Sequence, residues 1–516
     1  MLRLAHLGDG RQQPGRERRA ARLGARRKRP RRAVDPDGRA VSNRPPMPLP
    51  ASFLDAARRL VRADTVSASG TLAALDVLEP LWRDAGLPVQ LQQGDSPEQQ
   101  NGLAGPGGAD ARPGGLLLVT HLDTVPPGPA ARWTETGGDP FALTEKDGVL
   151  FGLGCADVKL DALCKAAAAL RLKGRRMARP FWLLGTFGEE VGLRGARHFA
   201  GSDLFQAVKP RHVLCGEPSE LQLITAHKGY AVVRATVADA KAREVSPQGL
   251  GLEELTFAGK AAHSSAPHLG ANAIDKALAW SRASGTPVLE VRGGTGANVV
   301  PASCTLVVSS PRDEGRPAPD DARLMAAGAP RPNLWRALAT AGALADLWRE
   351  LVMGLAPRAD ARFDPAGAVC GLNVIASAER SVSATLDARL LPQHDADALI
   401  EAFRRRAAEW MGRLGRGEMS LLVEVERNAG GMALADDAGL VTAAGRALRR
   451  LGLDPSPRAK PTSTEAGVFA RAGCEAAVIG PGRSTGNAHT PNERIELSQL
   501  ERAVDLYEAL ILEMCD

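Results

Sequence analysis

Four short runs, apolar almost throughout, constrain this chain more than any other feature: Leu116-Leu117-Leu118-Val119, Phe181-Trp182-Leu183-Leu184, His212-Val213-Leu214-Cys215 and Ala476-Ala477-Val478-Ile479. A strand with one wet face alternates apolar and polar residues, so a run without alternation marks a strand covered on both faces. Helical patterns over Ala162 to Leu172 and Leu440 to Leu451 lie between these runs, and two more, Leu54 to Arg62 and Leu72 to Ala85, precede them. Strands alternating with helices predict an α/β fold around a mostly parallel central sheet.

After Gly229 the pattern changes. Tyr230 to Val237, Cys304 to Val308 and Ser383 to Leu390 alternate like half-buried antiparallel strands, and Ala271 to Ser281 and Ala396 to Arg413 read as helices. A chain of 516 residues already asks for two domains. The expected division is a larger domain in two parts, residues 47–228 and 427–516, with a smaller α+β domain, 229–426, inserted between them. Residues 311–368, rich in Ala, Pro and Arg, find no place in either sheet and read as an insertion.

The net charge of +6 belongs to the amino-terminal tail. Residues 1–46 hold 14 Lys+Arg against 4 Asp+Glu, which leaves 51 against 55 for the rest. Without apolar periodicity this Arg-rich tail is expected to be disordered, and it reads as a start assigned too early, with Met47 as the first residue. A nucleic-acid partner would rest on that tail alone and is not expected. No apolar run reaches bilayer length, so no membrane partner is expected either. Seven cysteines without a pair spacing fit a reducing cytoplasm.

Metal-ligating residue types stand just after the apolar runs: His121 after the first, Glu190 after the second and Glu217 after the third. Open α/β sheets bind ligands at the carboxyl ends of their strands, so these side chains can converge despite their separation in sequence. Asp157, in the glycine-rich turn Gly152-Leu153-Gly154-Cys155-Ala156-Asp157, and His489, after the last run, complete the set. Two His and three carboxylates suit Zn²⁺, Co²⁺ or Mn²⁺ rather than a thiolate site, and five ligands suit two ions that share a carboxylate.

The chain resembles the M20 family of metallopeptidases and deacylases, especially its bacterial acetylornithine deacetylase branch. The resemblance rests on His121-Leu122-Asp123-Thr124-Val125-Pro126, Asp139-Pro140-Phe141, Gly152 to Lys159, Gly188-Glu189-Glu190 and Gly216-Glu217-Pro218-Ser219. Further along come Ala226-His227-Lys228-Gly229, His263-Ser264-Ser265-Ala266-Pro267, Thr464-Glu465-Ala466, Ile479-Gly480-Pro481-Gly482 and Ala488-His489-Thr490-Pro491, all in family order. It implies a metallopeptidase-like catalytic domain with an inserted ferredoxin-like lid and dimerisation domain. It also implies two divalent metal ions, Zn²⁺ first, with Asp157 bridging, His121 and Glu217 on one ion and Glu190 and His489 on the other.

By the same resemblance Glu189 is the general base, Asp123 orients His121, and His263 donates to the oxyanion in the neighbouring subunit of a homodimer. The implied reaction is hydrolysis of an N-acyl amino acid, as in the acetylornithine step of arginine biosynthesis. Succinyl-diaminopimelate desuccinylase and M20 carboxypeptidase or dipeptidase activities share the ligands, and a non-catalytic binding protein would be expected to have lost one of them. The substrate carboxylate is expected on Asn298 and either Arg312 or Arg389, because the family's Asp-x-Arg could correspond to Pro311-Arg312 or to Asp387-Ala388-Arg389. Leu160 stands where the family usually has Gly, and residues 239–254 lengthen the smaller domain.

Overall fold

In the computed structural model the described residues are 47–106, 113–246, 251–310, 321–325, 329–413 and 418–516, and all fall within one compact unit. The tail 1–46 and Arg312 lie outside them.

The four apolar runs become strands Leu116–His121, Phe181–Thr186, His212–Gly216 and Glu475–Val478. They lie side by side in the order Phe181–Thr186, Leu116–His121, His212–Gly216, Glu475–Val478, all parallel. Antiparallel strands extend both edges: Gln100–Ala104 and Val89–Gln93 on one side, Ile224–His227 and Met432–Ala433 on the other. Successive side chains of a strand point to opposite faces. Accordingly Leu116, Leu118, Leu183, Leu214 and Ala477 enter one core, beneath helices Ala51–Arg62, Leu72–Asp84, Lys159–Arg171, Gly439–Arg450 and Leu497–Cys515. Leu117, Val119, Trp182, Leu184, Val213 and Val478 enter a second core, under Arg194–Ala200, Asp203–Val208 and Ala466–Arg471. Apolar cover on both faces is why the runs show no alternation. Leu160 is fully buried in the first core, so the departure at this position is absorbed by packing.

The second sheet is antiparallel throughout. Among the described residues its order is Asp321–Met325, Gly251–Ala258, Ser303–Ser310, Val288–Gly293, Val369–Ala378, Ser381–Leu390, Gly229–Asp239, Met419–Ala429. Helices Ala273–Ser284, Trp335–Met353 and Ala396–Arg413 share its core. Part of the stretch expected to lie outside both sheets therefore has a place: Leu338, Ala341, Leu344, Trp348 and Val352 are buried under this sheet. Trp348 donates its indole N–H to the Asp387 carbonyl at 2.8 Å and meets Phe403 edge-on. The loop that follows is tied down by Lys228, whose ammonium donates to the carbonyls of Pro365 and Gly367 at 2.7 and 2.6 Å.

A buried polar knot lies under the carboxyl ends of the parallel strands. Asp161 accepts from the Thr120 hydroxyl and pairs with Lys165, both at 2.6 Å, and also accepts from the Tyr507 hydroxyl. Lys165 in turn donates to the Val119 carbonyl at 2.6 Å. Gly216 passes so close to Asp161 that a Cβ there would sit 1.9 Å from the carboxylate. The knot joins two strand ends, the helix Lys159–Arg171 and the last helix. Removing one member leaves the other charge buried and unpaired, which typically costs about 3–5 kcal/mol. Asp161→Ala is therefore expected to lower the unfolding free energy by about that amount in denaturant titration; a loss below about 1 kcal/mol would contradict the assigned role of the pair.

Candidate metal centre

Each candidate ligand is placed by the backbone feature that the sequence marked. His121 ends its strand, and Glu189 and Glu190 follow Phe181–Thr186 in a turn that opens toward the same edge. Asp157 leaves the glycine-rich turn just before helix Lys159–Arg171, and His489 sits in the loop after the last central strand. The loop conformation is exacting: Gly154 has φ +76°, and a Cβ there would meet Thr124 and Lys159 at 2.8 and 2.6 Å.

These side chains converge. His121 Nε2 lies 3.2 Å from Asp157 Oδ1, and His489 Nε2 lies 3.3 Å from Asp157 Oδ2 and 2.9 Å from Glu190 Oε1. One carboxylate thus presents each of its oxygens to a different imidazole. Two groups of donors form, His121 with Glu189 and Glu190, and Asp157 with Glu190 and His489, the ligand atoms of each lying within 4.8 Å of one another. Glu217 is buried nearby but is turned to Lys460, whose ammonium donates to Oε2 at 2.8 Å, so of the five expected ligands it alone stands outside both groups.

The electrostatics favour positive charge here. Burial works against an imidazolium at His121, but the Asp157 carboxylate, with Glu189 and Asp123, holds its pKa well above the usual value. Hydrogen bonds to Asp157 and Glu190 push His489 up to about 11. Burial works against the Asp157 carboxylate as well, yet bonds to both rings hold its pKa far down. Burial, then the neighbouring Glu190, raises Glu189 well above the carboxylate range. The same field would favour divalent cations, and a mixed imidazole and carboxylate set is the chemistry that Zn²⁺, Co²⁺ and Mn²⁺ accept. The residues fit such ions.

Asp123 acts partly through its backbone. Its carbonyl accepts from His121 Nδ1 at 3.1 Å, which turns Nε2 toward Asp157, while its carboxylate stands 3.7 Å from that ring. The carboxylate instead accepts from the backbone N–H groups of Glu189 and Glu190 at 2.9 and 3.3 Å and from the Ser67 hydroxyl at 2.7 Å. It fixes the turn that presents both glutamates.

Three residues of the site were not singled out from sequence. Arg427, at a bulge in strand Met419–Ala429, reaches within 3.7 Å of Glu189. Lys460 sits on the short strand Arg458–Lys460 beside Glu217. Glu493 accepts from the backbone N–H groups of Gly154, Ala156 and Asp157 at 3.0, 2.8 and 2.8 Å, clamping the turn that carries Asp157. Its position three residues before the Glu496 that caps the last helix gave no sign of this. Of the expected substrate contacts, Asn298 is exposed in the loop after Val288–Gly293. Arg389 is buried, donates to the Ser264 hydroxyl at 3.3 and 3.1 Å and lies 3.4 Å above the Tyr230 ring. His263 is exposed in the segment Ala262–His263 and shares a 2.6 Å bond between its Nδ1 and the Ser265 hydroxyl.

A four-stranded parallel core extended to a mixed sheet, with imidazoles and carboxylates gathered at its carboxyl edge, defines a metallohydrolase-type α/β scaffold. The family model of peptidase family M20/M25/M40 matches residues 117–513, and the chain belongs to that family. It is 35% identical over 237 residues to an acetylornithine deacetylase of Vibrio vulnificus, covering 44% of this chain and 54% of that one, and 31% identical over 230 residues to one of Proteus mirabilis, covering 43% and 52%. The matches span about half the length of these relatives. In fold it is similar to an aminoacylhistidine dipeptidase of Vibrio alginolyticus (TM-score 0.61, 16% identity, 91% of this chain and 97% of that one). It is also similar to an M20 family metallo-carboxypeptidase of Sulfolobus solfataricus (TM-score 0.56, 17% identity, 90% and 99%).

Glu493→Ala would leave three buried N–H groups without their acceptor, at about 1–3 kcal/mol for each unsatisfied group. The expected result is lower stability in denaturant together with about 10–100-fold weaker metal affinity, the usual effect of losing a residue that orients a ligand. Unchanged metal affinity would show that Asp157 is placed without the clamp.

Proposed function

We propose that this chain hydrolyses the amide bond of an N-acyl amino acid with two divalent metal ions, Zn²⁺ first among them, in the manner of an acetylornithine deacetylase. The observation that carries this reading is Asp157, whose two carboxylate oxygens face His121 and His489 separately, as a shared ligand must. His121 would hold one ion and Glu190 with His489 the other. Glu217 would join His121 if its carboxylate exchanged Lys460 for the ion. Ions bound there would supply Lewis acidity and lower the pKa of water toward about 7.

The remaining work falls to side chains. Glu189 is buried at the site, takes the proton of the attacking water and returns it to the departing amine. Asp123 holds the turn on which Glu189 sits. The lid supplies donors for the substrate's α-carboxylate: the Arg389 guanidinium and the neutral Asn298 amide expected from the sequence, joined by Arg427, whose buried Nε has no hydrogen-bond partner among the described residues. A planar guanidinium matches a carboxylate in two parallel bonds. The acetyl group is assigned from the relatives' names alone; succinyl-diaminopimelate and dipeptides would use the same ligands, and a turnover screen against all three classes separates them. No described helix is long and apolar enough to cross a membrane. The seven cysteines are free thiols, the form that a reducing cytoplasm maintains.

Asp157→Ala is expected to reduce metal content by at least one ion per chain in elemental analysis; full occupancy would remove it as the shared ligand. Glu189→Gln should keep its metal and lose roughly 10²-fold or more in kcat, whereas near wild-type turnover would reject it as the base. Replacing the substrate's free carboxylate by an amide should lower kcat/KM sharply, and equal values for acid and amide would eliminate the role given to the lid arginines.

A further inference from the structure

The lid sheet is built twice. Gly251–Ala258, Val288–Gly293, Ser303–Ser310 and Asp321–Met325, numbered one to four in chain order, lie as 4-1-3-2. Gly229–Asp239, Val369–Ala378, Ser381–Leu390 and Met419–Ala429, numbered likewise, lie as 2-3-1-4. The full sheet is therefore a palindrome, 4-1-3-2-2-3-1-4, with the two second strands paired at its centre through Arg292 with Ala376 and Gly293 with Ile375. In each set a helix leads into the second strand, Ala273–Ser284 in one and Trp335–Met353 in the other. Palindromic order about an antiparallel central pair is the arrangement that two copies of one unit adopt around a two-fold axis. Here both units belong to one chain.

The two units carry different residues. The first holds His263, after its first strand, and Asn298, after its second. In the second unit the corresponding exits are residues 240–246, which contain no His, and the tight turn at Glu379-Arg380. This unit contributes Arg389 and Arg427 instead. The ambiguity between Arg312 and Arg389 has the same origin, because each follows or closes the third strand of its unit.

Direct contacts link the first unit to the metal centre of its own chain. Ser264, beside His263, accepts from Arg389; Arg389 and Arg427 flank the Tyr230 ring at 3.4 and 5.3 Å; Arg427 reaches Glu189 at 3.7 Å. His263 is also strand-paired with Val299, two residues beyond Ala297. Ala297 accepts from the Asn373 amide at 2.7 Å and packs against the cluster of Leu193, Tyr230, Val232 and Ala429, together with Val468. Leu193 belongs to the loop that begins with Glu189.

We propose that residues 251–310 and 321–325 form a built-in second lid, and that His263 donates to the oxyanion formed at the metal centre of its own chain, which needs no second copy. This rests on the hydrolase reading for the role of His263, but the placement of the second lid can be measured without turnover. Two arms test it. In the first, His263→Ala and Glu189→Gln chains, each reduced by about 10²-fold or more in kcat, are mixed and allowed to exchange. No recovery is expected at any ratio. A site shared between subunits would instead restore about a quarter of wild-type activity in an equimolar, fully exchanged mixture, since half the pairs would be mixed and each would hold one intact site. In the second arm, Ala297→Cys/Val468→Cys chains grown light and isotopically heavy are mixed and bridged with a short bis-maleimide. Mass spectrometry should find light–light and heavy–heavy bridges only. Recovered activity or light–heavy bridges would overturn the proposal. Bridges confined to single chains, with a wild type that turns over no acyl amino acid, would reject the hydrolase reading and leave the second lid standing.

Discussion

The site depends on one electrostatic constraint: four carboxylates, Asp157, Glu189, Glu190 and Glu217, are gathered at the edge of the central sheet with little water around them. Taking an ionised carboxylate out of water costs several kcal/mol unless opposite charge meets it. Lys460 answers Glu217, and Arg427 stands by Glu189. Asp157 and Glu190 form their ion pairs with imidazoles, and it is around them that the donor groups form. Much of the surrounding structure can be understood as holding these repelling groups in place. Glu493 grips the turn under Asp157, and the Asp123 carboxylate grips the turn under the two glutamates.

That arrangement is possible because the parallel strands end together. The Asp161, Lys165 and Tyr507 knot lies directly beneath, tying the strand ends to the helices that cover them. It places a neutralised ion pair behind the candidate metal centre, so the stability of the scaffold and the position of the candidate ligands share a set of buried bonds. The second sheet contributes the opposite charge, with Arg389 and Arg427 flanking the Tyr230 ring.

The central sheet was legible because burial on both faces writes an unmistakable pattern, four apolar runs with no alternation. The rule that ligands gather at the carboxyl ends of strands pointed to His121, Glu190 and Glu217, with Asp157 added from its glycine-rich turn and His489 from the loop after the last run; of these Glu217 is turned to Lys460 instead. Other features left no local trace. Trp335–Met353 was not recognised as a core helix because alanines supply much of its buried face, giving a weak apolar period in a stretch rich in Arg and Pro. Arg427 and Lys460 act at the site through a bulge and a short strand, neither of which has a sequence signature. The doubled lid was hidden because its two units share strand order rather than recognisable sequence, and because the first is spliced between the first strand and the helix of the second.

The central claim is that Asp157 is shared by two metal ions. Anomalous diffraction from crystals of the zinc-loaded protein, recorded at the zinc edge, tests it most directly. Two peaks about 3.5–4 Å apart are expected, one on each side of the Asp157 carboxylate, with His121 at one and His489 at the other. A single peak, or two peaks of which only one touches Asp157, would contradict it.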